Sequence, residues 1–374
     1  MQNITLVLLT AGSSSRFGMN AKKQWLYQAQ KPLWLAVADR FQNSFNFARI
    51  IIVCARDEIE YMKQFSNYYY VTGGNSRQAS LAAAIKHVKT SFVLVSDIAR
   101  CCADKEMIER VISQKENADC VVPALKATDT LYLDEDPIDR EKISIIQTPQ
   151  LSNTEVLKDA LKSGHEFTDE SSAIKALGKK VLFVEGSEKA HKLTNKDDLK
   201  KLSCLEPPSA ETLIGFGIDI HSFEEGKEMK LCGIIIDSPF GFKAHSDGDV
   251  AIHALIDALI GAAGMGDIGE LFPDTDSAYA GADSILLLQK VIKRIRAFGF
   301  ELVNIDMTIL AQTPRLLPYK KQMKNKLADV LKIRLNRINI KATTAEKMGF
   351  VGRKEGITVH AVASLKYFNW NEVI

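Results

Sequence analysis

Residues 4–24 read ITLVLLTAGSSSRFGMNAKKQ and place a run of apolar and β-branched residues directly before a loop of small residues. The run from Ile4 to Leu9 predicts a buried β-strand. Apolar runs and amphipathic stretches then alternate along the chain, at residues 50–54, 77–88, 92–96, 104–113 and 120–123. Strands that alternate with helices indicate an α/β fold with a mostly parallel sheet covered by helices. Functional loops are expected at the carboxyl ends of such strands.

The loop after this first strand carries two cations, Arg16 and Lys23, among small residues. Small side chains let backbone N–H groups close around a triphosphate, and the two cations can oppose the charge that builds on a phosphorus under attack. The loop matches neither a Walker A sequence nor a GxGxxG sequence. The alternative is that these cations are ordinary solvated surface residues.

Three further polar segments follow predicted strands, at residues 73–80 (GGNSRQAS), 96–100 (SDIAR) and 192–194 (KLT). Glycines that lead into a helix leave N–H groups free to bind an anion. Asp97, at a strand end, could hold Mg²⁺ on phosphates. A simple Gly-Gly turn and a helix-capping aspartate are the alternatives, but the joint placement of the segments favours a nucleotide-phosphate site.

The chain has 374 residues, a length typical of two domains. Between residues 200 and 212 (KKLSCLEPPSAET) the alternation lapses, and Pro207-Pro208 stiffens the connection. We therefore predict domains at residues 1–208 and 209–374. The second half has few strands, including residues 214–220 and 230–236, with helices gathered between them, which is typical of an α+β domain.

Composition excludes several classes of protein. The chain carries 48 basic and 46 acidic residues, and neither half has the positive excess that a nucleic-acid partner requires. No uncharged apolar run reaches the ~18 residues that span a membrane, so we expect a cytoplasmic protein without a membrane partner. The six cysteines include no Cys-x-x-Cys pair, and we expect them to be reduced.

The first half resembles the 2-C-methyl-D-erythritol 4-phosphate cytidylyltransferases over residues 3–205, in the stretches AGSSSRFG, KKQ, GGNSRQAS, SDIAR, TPQ, TDESSA and KLT. The resemblance implies a Rossmann-like nucleotidyltransferase domain that joins CMP from CTP to methylerythritol phosphate and releases pyrophosphate with Mg²⁺ or Mn²⁺. It implies that Arg16 and Lys23 stabilise the transition state. The implied substrate-binding residues are Gly73, Gly74 and Ser80 for CTP, and Asp97, Arg100, Thr130, Arg140 and Lys192 for methylerythritol phosphate. Three positions depart from the family pattern: Lys22 and Cys101 replace the usual prolines, and Ser96 replaces the usual histidine.

The second half contains a possible metal site. Asp219 and His221 lie two apart on a predicted strand and so point to one face, while His253 lies on a predicted helix about thirty residues later. Two imidazoles and a carboxylate suit Zn²⁺ with one open position. The alternative is that a nearby aspartate caps the helix and His253 fills a half-buried slot. Further on, Glu346 beside hydroxyl groups could take a hard cation that bridges two phosphates.

This half resembles the 2-C-methyl-D-erythritol 2,4-cyclodiphosphate synthases over residues 213–367, in the runs GFGIDIHSF, AHSDGDVAIHALIDALIGAAGMGDIGELFPDTD, AQTPRLLP and KATTAEKMGFVGR. The resemblance implies a ferredoxin-like α+β domain that forms trimers with active sites between subunits. It implies Zn²⁺ or a similar divalent ion on Asp219, His221 and His253, Mg²⁺ or Mn²⁺ on Glu346, and a cytosine pocket at residues 311–318. The implied substrate contacts are His245, Asp267, Thr344, Phe350 and Arg353. Ala345 stands where a third threonine is usual.

These inferences together predict a bifunctional enzyme of isoprenoid precursor synthesis that uses CTP and methylerythritol phosphates. Its two reactions need an intervening kinase step, so association with that kinase is a hypothesis. One alternative is an enzyme in which only the synthase half is active. A second alternative is a regulatory protein that binds cytidine nucleotides without turnover.

Overall fold

The computed structural model describes residues 3–244, 246–273, 275 and 281–373. It divides into two compact units: a first unit, Met1–Pro208 with Asn369–Ile374, and a second unit, Ser209–Phe368. The sequence placed residues 369–374 in the second domain, but the structure places them in the first unit. The reason is Trp370, which is buried and whose indole Nε1 donates a 2.8 Å hydrogen bond to the carbonyl oxygen of Tyr27.

The first unit alternates short strands and helices. Its strands are β1 (Ile4–Leu9), β2 (Tyr27–Gln28), β3 (Lys31–Pro32), β4 (Arg49–Cys54), β5 (Tyr69–Thr72), β6 (Phe92–Asp97), β7 (Cys120–Lys126), β8 (Leu131–Leu133), β9 (Asp136–Ile138), β10 (Ser144–Ile146), β11 (Gln150–Asn153) and β12 (Val181–Glu185). Its α-helices are α1 (Leu33–Ser44), α2 (Ile59–Lys63), α3 (Arg77–Ile85), α4 (Lys105–Ser113), α5 (Thr154–Leu161) and α6 (Glu170–Ala176).

An eight-stranded sheet forms the centre of the first unit, with the order β10-β7-β11-β6-β1-β4-β5 and β12 paired to β7. Strands β6, β1, β4 and β5 run parallel, and β11 is antiparallel to its neighbours. All six residues of β1 are buried, because the strand lies in the interior of this sheet. The register aligns Leu9 with Asp97, so the loops that follow β1 and β6 leave the sheet at the same edge. The prediction of a mostly parallel, Rossmann-like sheet is confirmed.

One expectation about the cysteines is wrong. Cys102 and Cys204 form a disulfide between positions 102 residues apart, with 5.6 Å between their Cα atoms. The fold brings the two positions to a separation typical of disulfides, which their spacing in the sequence does not reveal. The free cysteines Cys54, Cys101, Cys120 and Cys232 are all buried.

The second unit combines a five-stranded sheet of order β16-β13-β19-β17-β18 with helices. Its strands are β13 (Leu213–Glu225), β14 (Met229–Leu231), β15 (Ile234–Ile236), β16 (Phe240–Phe242), β17 (Phe300–Leu310), β18 (Ile338–Thr343) and β19 (Gly356–Tyr367). Its α-helices are α7 (Val250–Ala262), α8 (Ile268–Leu271), α9 (Ser284–Ala297), α10 (Lys320–Leu331) and α11 (Gly349–Gly352). β13–β19 and β19–β17 are antiparallel and β17–β18 is parallel, so the α+β prediction is confirmed.

Residues 230–236 form a hairpin instead of the single strand that their apolar character predicted. Strands β14 and β15 pair antiparallel, with Leu231 opposite Ile234. The turn between them uses Cys232 and Gly233, whose φ angles are +53° and +73°. Because this left-handed backbone reverses the chain, the apolar run folds back on itself.

Helix α7 packs directly on two glycines of β13. A Cβ atom at Gly215 would lie 2.0 Å from the carbonyl oxygen of Ala258, and one at Gly217 would lie 2.0 Å from that of Ala254. Only glycine permits this approach of helix to strand. Further along the same face of β13, Asp219 and His221 meet the first turns of the helix.

Within the described residues, the structure contains no helix with the length and apolarity that a membrane crossing requires.

Candidate functional sites

A cavity of about 630 Å³ opens at the edge of the first-unit sheet where β1 and β6 end. It is lined by the small-residue loop of residues 10–15 and by the start of α3. Six of the predicted site residues line it: Arg16, Lys23, Gly74, Ser80, Asp97 and Lys192. Arg77 lines it as well, so the cavity gathers five charged side chains beside loop backbone, an arrangement suited to a nucleotide triphosphate.

The glycine pair at residues 73–74 lies beside the loop that follows β1, and Gly74 lines the cavity. A Cβ atom at Gly73 would lie 2.4 Å from the Cβ of Ala11, so the β5–α3 loop can touch the β1 loop only with glycine there. The backbone N–H of Gly74 donates a 3.1 Å hydrogen bond to Oγ of Ser80, which is buried. Gly73, Gly74 and Ser80 therefore lie close together, beside the loop that follows β1.

The side chain of Lys23 lines the same cavity. Its Nζ donates a 2.8 Å hydrogen bond to the carbonyl oxygen of Leu193. Burial, then the positive charges of Arg16 and Lys192, lower the pKa of Lys23 below its ordinary value. Three cations thus converge on one space, and an anion in that space would relieve their mutual repulsion.

Asp97 lies between two cations. Its Oδ1 accepts a 2.8 Å hydrogen bond from Arg77 Nε, and its Oδ2 accepts one of 2.8 Å from Lys192 Nζ. Burial alone would raise the pKa of Asp97, but Arg77 and Lys192 hold it below its ordinary value. Both carboxylate oxygens of Asp97 thus accept hydrogen bonds from cationic side chains. This arrangement does not support the prediction that Asp97 holds Mg²⁺.

Arg77 is held in turn by Glu170, a residue that the sequence analysis did not select. Arg77 Nη1 and Nη2 donate hydrogen bonds of 2.8 and 3.3 Å to the two carboxylate oxygens of Glu170. The Glu170 side chain is fully buried, and burial raises its pKa despite the neighbouring guanidinium. The stretch TDESSA carried this residue, but nothing in it indicated burial of a charge or a partner 93 residues away.

A second cavity of about 420 Å³ shares Arg77, Asp97 and Lys192 with the first. Arg100 also lines it and is fixed by hydrogen bonds to the carbonyl oxygens of Ala190 (2.7 Å) and Ile146 (3.1 Å). Thr130 and Arg140 are not among the described residues that line either cavity. Arg140 lies just after the β8–β9 hairpin, and its Nη1 donates to the carbonyl oxygen of Thr128.

In the second unit, Asp219, His221 and His253 converge as the sequence predicted. One ligand atom from each lies within 4.8 Å of the other two. Asp219 Oδ2 is 3.1 Å from His221 Nε2 and 3.2 Å from His253 Nδ1. Burial would raise the pKa of Asp219, but hydrogen bonds to the two imidazoles lower it strongly. The carboxylate is therefore ionised at neutral pH, as a metal ligand must be.

Neighbouring groups orient both imidazoles. His221 Nδ1 lies 3.0 Å from the carbonyl oxygen of Gly248 and donates to it, so Nε2 is the ring nitrogen that faces Asp219. His253 Nε2 lies 3.0 Å from Oγ of Ser284, which is buried and also bonds Asp247. Such outer contacts are typical of metal sites. His245 lies outside the described residues.

A third cavity, of about 500 Å³, is formed by residues 311–320 and 342–344, the region predicted to bind cytosine. Thr344 lines it, and its Oγ1 donates a 2.8 Å hydrogen bond to Glu346 Oε1. Glu346 adopts a left-handed backbone with φ of +49°. No hydrogen bond or cavity between described residues joins Thr344 and Glu346 to the Asp219 cluster in the same chain.

The remaining predicted contacts lie on short helices. Asp267 caps α8, accepting a 2.9 Å hydrogen bond from the backbone N–H of Glu270. Phe350 lies in α11, and the exposed Arg353 that follows pairs with Glu355 at 2.7 Å. The loop that carries Arg353 reaches the end of β13, because the N–H of Phe223 donates to the carbonyl oxygen of Glu355.

Comparison with known families covers both units. A family model described as 2-C-methyl-D-erythritol 4-phosphate cytidylyltransferase matches residues 4–204, and the YgbB family model matches residues 212–366. A bifunctional enzyme IspD/IspF from Sulfurovum sp. (strain NBC37-1) is 61% identical over 372 residues, with 100% of both chains covered. Its counterpart from Sulfurimonas denitrificans is 54% identical and covers 100% of this chain and 97% of its own.

A solved structure agrees over the whole length. The bifunctional IspDF from Campylobacter jejuni superposes with a TM-score of 0.92 at 46% identity, over 99% of this chain and 100% of that chain. Both units are therefore represented in one known architecture.

Proposed function

The chain belongs to the family of bifunctional IspD/IspF enzymes, and from this premise we propose which side chains carry its two reactions. It joins a methylerythritol phosphate cytidylyltransferase domain to a cyclodiphosphate synthase domain of the non-mevalonate route to isoprenoids. The prediction of a bifunctional enzyme is thereby confirmed.

For cytidylyl transfer, CTP occupies the 630 Å³ cavity with its triphosphate along the loop of residues 10–15. A phosphate oxygen of methylerythritol phosphate attacks the α-phosphorus, and pyrophosphate leaves. Arg16 and Lys23 hold positive charge beside that phosphorus, where negative charge is greatest in the transition state. Mg²⁺ or Mn²⁺ accompanies the phosphates of CTP. Lys192, Asp97 and Arg100 orient the acceptor from the second cavity.

One observation carries this assignment: Arg16, Lys23 and Lys192 converge on a cavity walled by loop backbone. The test is release of pyrophosphate when the protein is mixed with CTP, methylerythritol phosphate and Mg²⁺. Release that depends on Lys23 supports the assignment. A protein that only closes the ring, or that binds cytidine nucleotides without turnover, releases none.

For ring closure, Asp219, His221 and His253 would hold Zn²⁺ or a similar divalent ion. Their donor set and their oriented imidazoles fit a tetrahedral ion with one open position. Such an ion supplies Lewis-acid polarisation of a phosphate oxygen. Glu346 would hold Mg²⁺ or Mn²⁺ on the diphosphate, and residues 311–318 would receive the cytosine. The 2-phosphate of the substrate attacks the β-phosphorus and expels CMP.

The test of the metal assignment is elemental analysis of the purified protein. We expect about one zinc per chain, lost in Asp219→Ala together with CMP release. A full complement of zinc in Asp219→Ala would contradict the ligand set.

An exposed apolar face supports a homotrimeric synthase core. Alternate residues of β13 are large, apolar and open to solvent: Ile214 is 70% and Phe216 59% exposed, followed by Ile218 and Ile220. Exposed apolar strips of this kind mark protein interfaces. Assembly would also bring the Thr344–Glu346 group of one subunit towards the Asp219 cluster of another. Sedimentation analysis of Phe216→Glu, which should shift the protein to smaller species, tests this proposal.

We also propose that the enzyme is cytoplasmic and that it associates with a kinase. Its nucleotide substrate supports a cytoplasmic location. The reaction between its two steps is a phosphorylation, which supports association with the kinase that performs it. Failure of the two purified proteins to co-elute, or to bind measurably, would contradict that association.

A further inference from the structure

Glu58 is a buried carboxylate beside the cytidylyl-transfer cavity that the proposed roles do not use. It lies in the connection between β4 and α2, and its side chain is fully buried. Its Oε1 pairs with Lys22 Nζ at 2.6 Å. The amide of Gln24, also buried, donates to both carboxylate oxygens at 3.3 and 3.4 Å.

Lys22 and Gln24 lie on either side of Lys23 in the sequence, so the contacts of Glu58 with their side chains restrain the segment that carries Lys23. Further hydrogen bonds connect this segment to the loop of residues 10–15. Ser14 Oγ donates a 3.4 Å hydrogen bond to Gln24 Oε1 and accepts one of 3.1 Å from the N–H of Lys23. Ser14 itself lines the cavity. Glu58 thus connects the loop that faces the phosphates with the segment that supplies Lys23.

Lys22 supplies a positive charge for a carboxylate that is otherwise costly to bury. The ion pair therefore restrains the segment that leads directly into Lys23.

We propose that Glu58 is a positioning residue for cytidylyl transfer, which fixes Lys23 by holding Lys22 and Gln24. This inference rests on the proposed role of Lys23. Because Lys23 acts in the transition state, loosening its segment should lower kcat for transfer and leave KM for methylerythritol phosphate nearly unchanged. A displacement of about 1 Å at a reacting group can cost as much as 100-fold in rate.

The test is Glu58→Gln in the full chain, which keeps the shape of the side chain and removes its charge. We expect kcat for pyrophosphate release to fall by about 10- to 100-fold, with KM for methylerythritol phosphate within about twofold of the parent. Ring closure should be unchanged and provides an internal measure of enzyme concentration. The matched control is Asp39→Asn, which removes the carboxylate from another lysine pair of the first unit, Lys31–Asp39 at 2.6 Å. It should leave transfer unchanged.

Parental kcat in Glu58→Gln would overturn the proposal. If that variant fails to fold, the double variant Lys22→Met with Glu58→Gln carries the test, because it leaves neither charge unpaired. A folded double variant that transfers at the parental rate would also overturn the proposal, whereas a slow one supports it. A Lys23→Ala variant with full activity would instead refute the proposed role of Lys23.

Discussion

Substitution of Gly217 by alanine tests how the second unit builds its proposed metal site. The new Cβ would lie 2.0 Å from the carbonyl oxygen of Ala254 and 2.7 Å from the backbone nitrogen of Ala258, both in α7. These atoms belong to a helix backbone and cannot turn away as a side chain can. The helix must therefore retreat from β13 by roughly 1 Å to restore ordinary contact distances.

The cost follows from that displacement. Overpacked cores lose about 1–3 kcal/mol, and an obstacle made of backbone belongs at the upper end of that range. A loss of about 3 kcal/mol in a unit of this size lowers its unfolding temperature by roughly 10 °C. His253 precedes Ala254 in the same helix, so its imidazole moves away from Asp219, 3.2 Å distant in the native protein. We expect metal affinity and ring closure to fall at least about tenfold.

Unfolding of the two units can be followed separately, by tryptophan fluorescence and by calorimetry. The three tryptophans, Trp25, Trp34 and Trp370, all lie in the first unit, so their fluorescence follows only that unit. Calorimetry follows both units. In Gly217→Ala, the fluorescence transition and cytidylyl transfer should remain unchanged while the calorimetric transition of the second unit moves down.

Gly261→Ala is the matched control, because it adds the same atom to the same helix at a position with no heavy atom within 4 Å of the new Cβ. It should stabilise α7 by about 0.5–1 kcal/mol and leave metal binding intact. Equal unfolding temperatures for the two variants, or full metal binding in Gly217→Ala, would refute the packing argument.

Three further outcomes are expected. Arg16→Ala should abolish most pyrophosphate release and spare CMP release, and Asp219→Ala should do the reverse; loss of both activities in one folded variant would contradict independent sites. Glu170→Gln should raise KM for methylerythritol phosphate by about tenfold, since Arg77 then holds Asp97 less firmly, and saturation curves with an unchanged KM would show that this support is dispensable. Burial lowers the pKa of Lys23, so its positive charge is lost at a lower pH than that of an ordinary lysine, near 10.4. Transfer should accordingly decline on the alkaline side below that value, and Lys23→Arg should move the decline to higher pH; coincident pH–rate profiles would count against a charged Lys23.

The sequence predicted most of the fold because the relevant patterns are local. Residues 4–9 were predicted as a strand and form β1 with the same bounds, and the helix predicted to carry His253 is α7, Val250–Ala262. The hairpin of β14 and β15 was missed because its reversal depends on the left-handed backbone at Cys232 as well as Gly233. An apolar run does not by itself indicate whether the chain continues or turns.

The residues of the candidate sites were predicted where short motifs carry them, and missed where they depend on distant partners. Strand and helix periodicity explains the Asp219 cluster, because it places the three side chains on facing surfaces. Glu170 meets Arg77 across 93 residues, and Glu58 meets Gln24 across 34. Nothing in the sequence distinguishes Glu58 or Glu170 from an exposed glutamate. Their burial, which strengthens the interaction of each carboxylate with its cationic partner, is a property of the folded chain.

The return of residues 369–374 to the first unit means that the second unit is an insertion with both of its ends tethered to the first. Cleavage after residue 208 would not release a whole cytidylyltransferase. The fragment would lack Trp370 and leave the carbonyl oxygen of Tyr27 without that indole donor. Attempts to dissect the enzyme into separate catalysts should therefore graft the final six residues back onto the shorter piece.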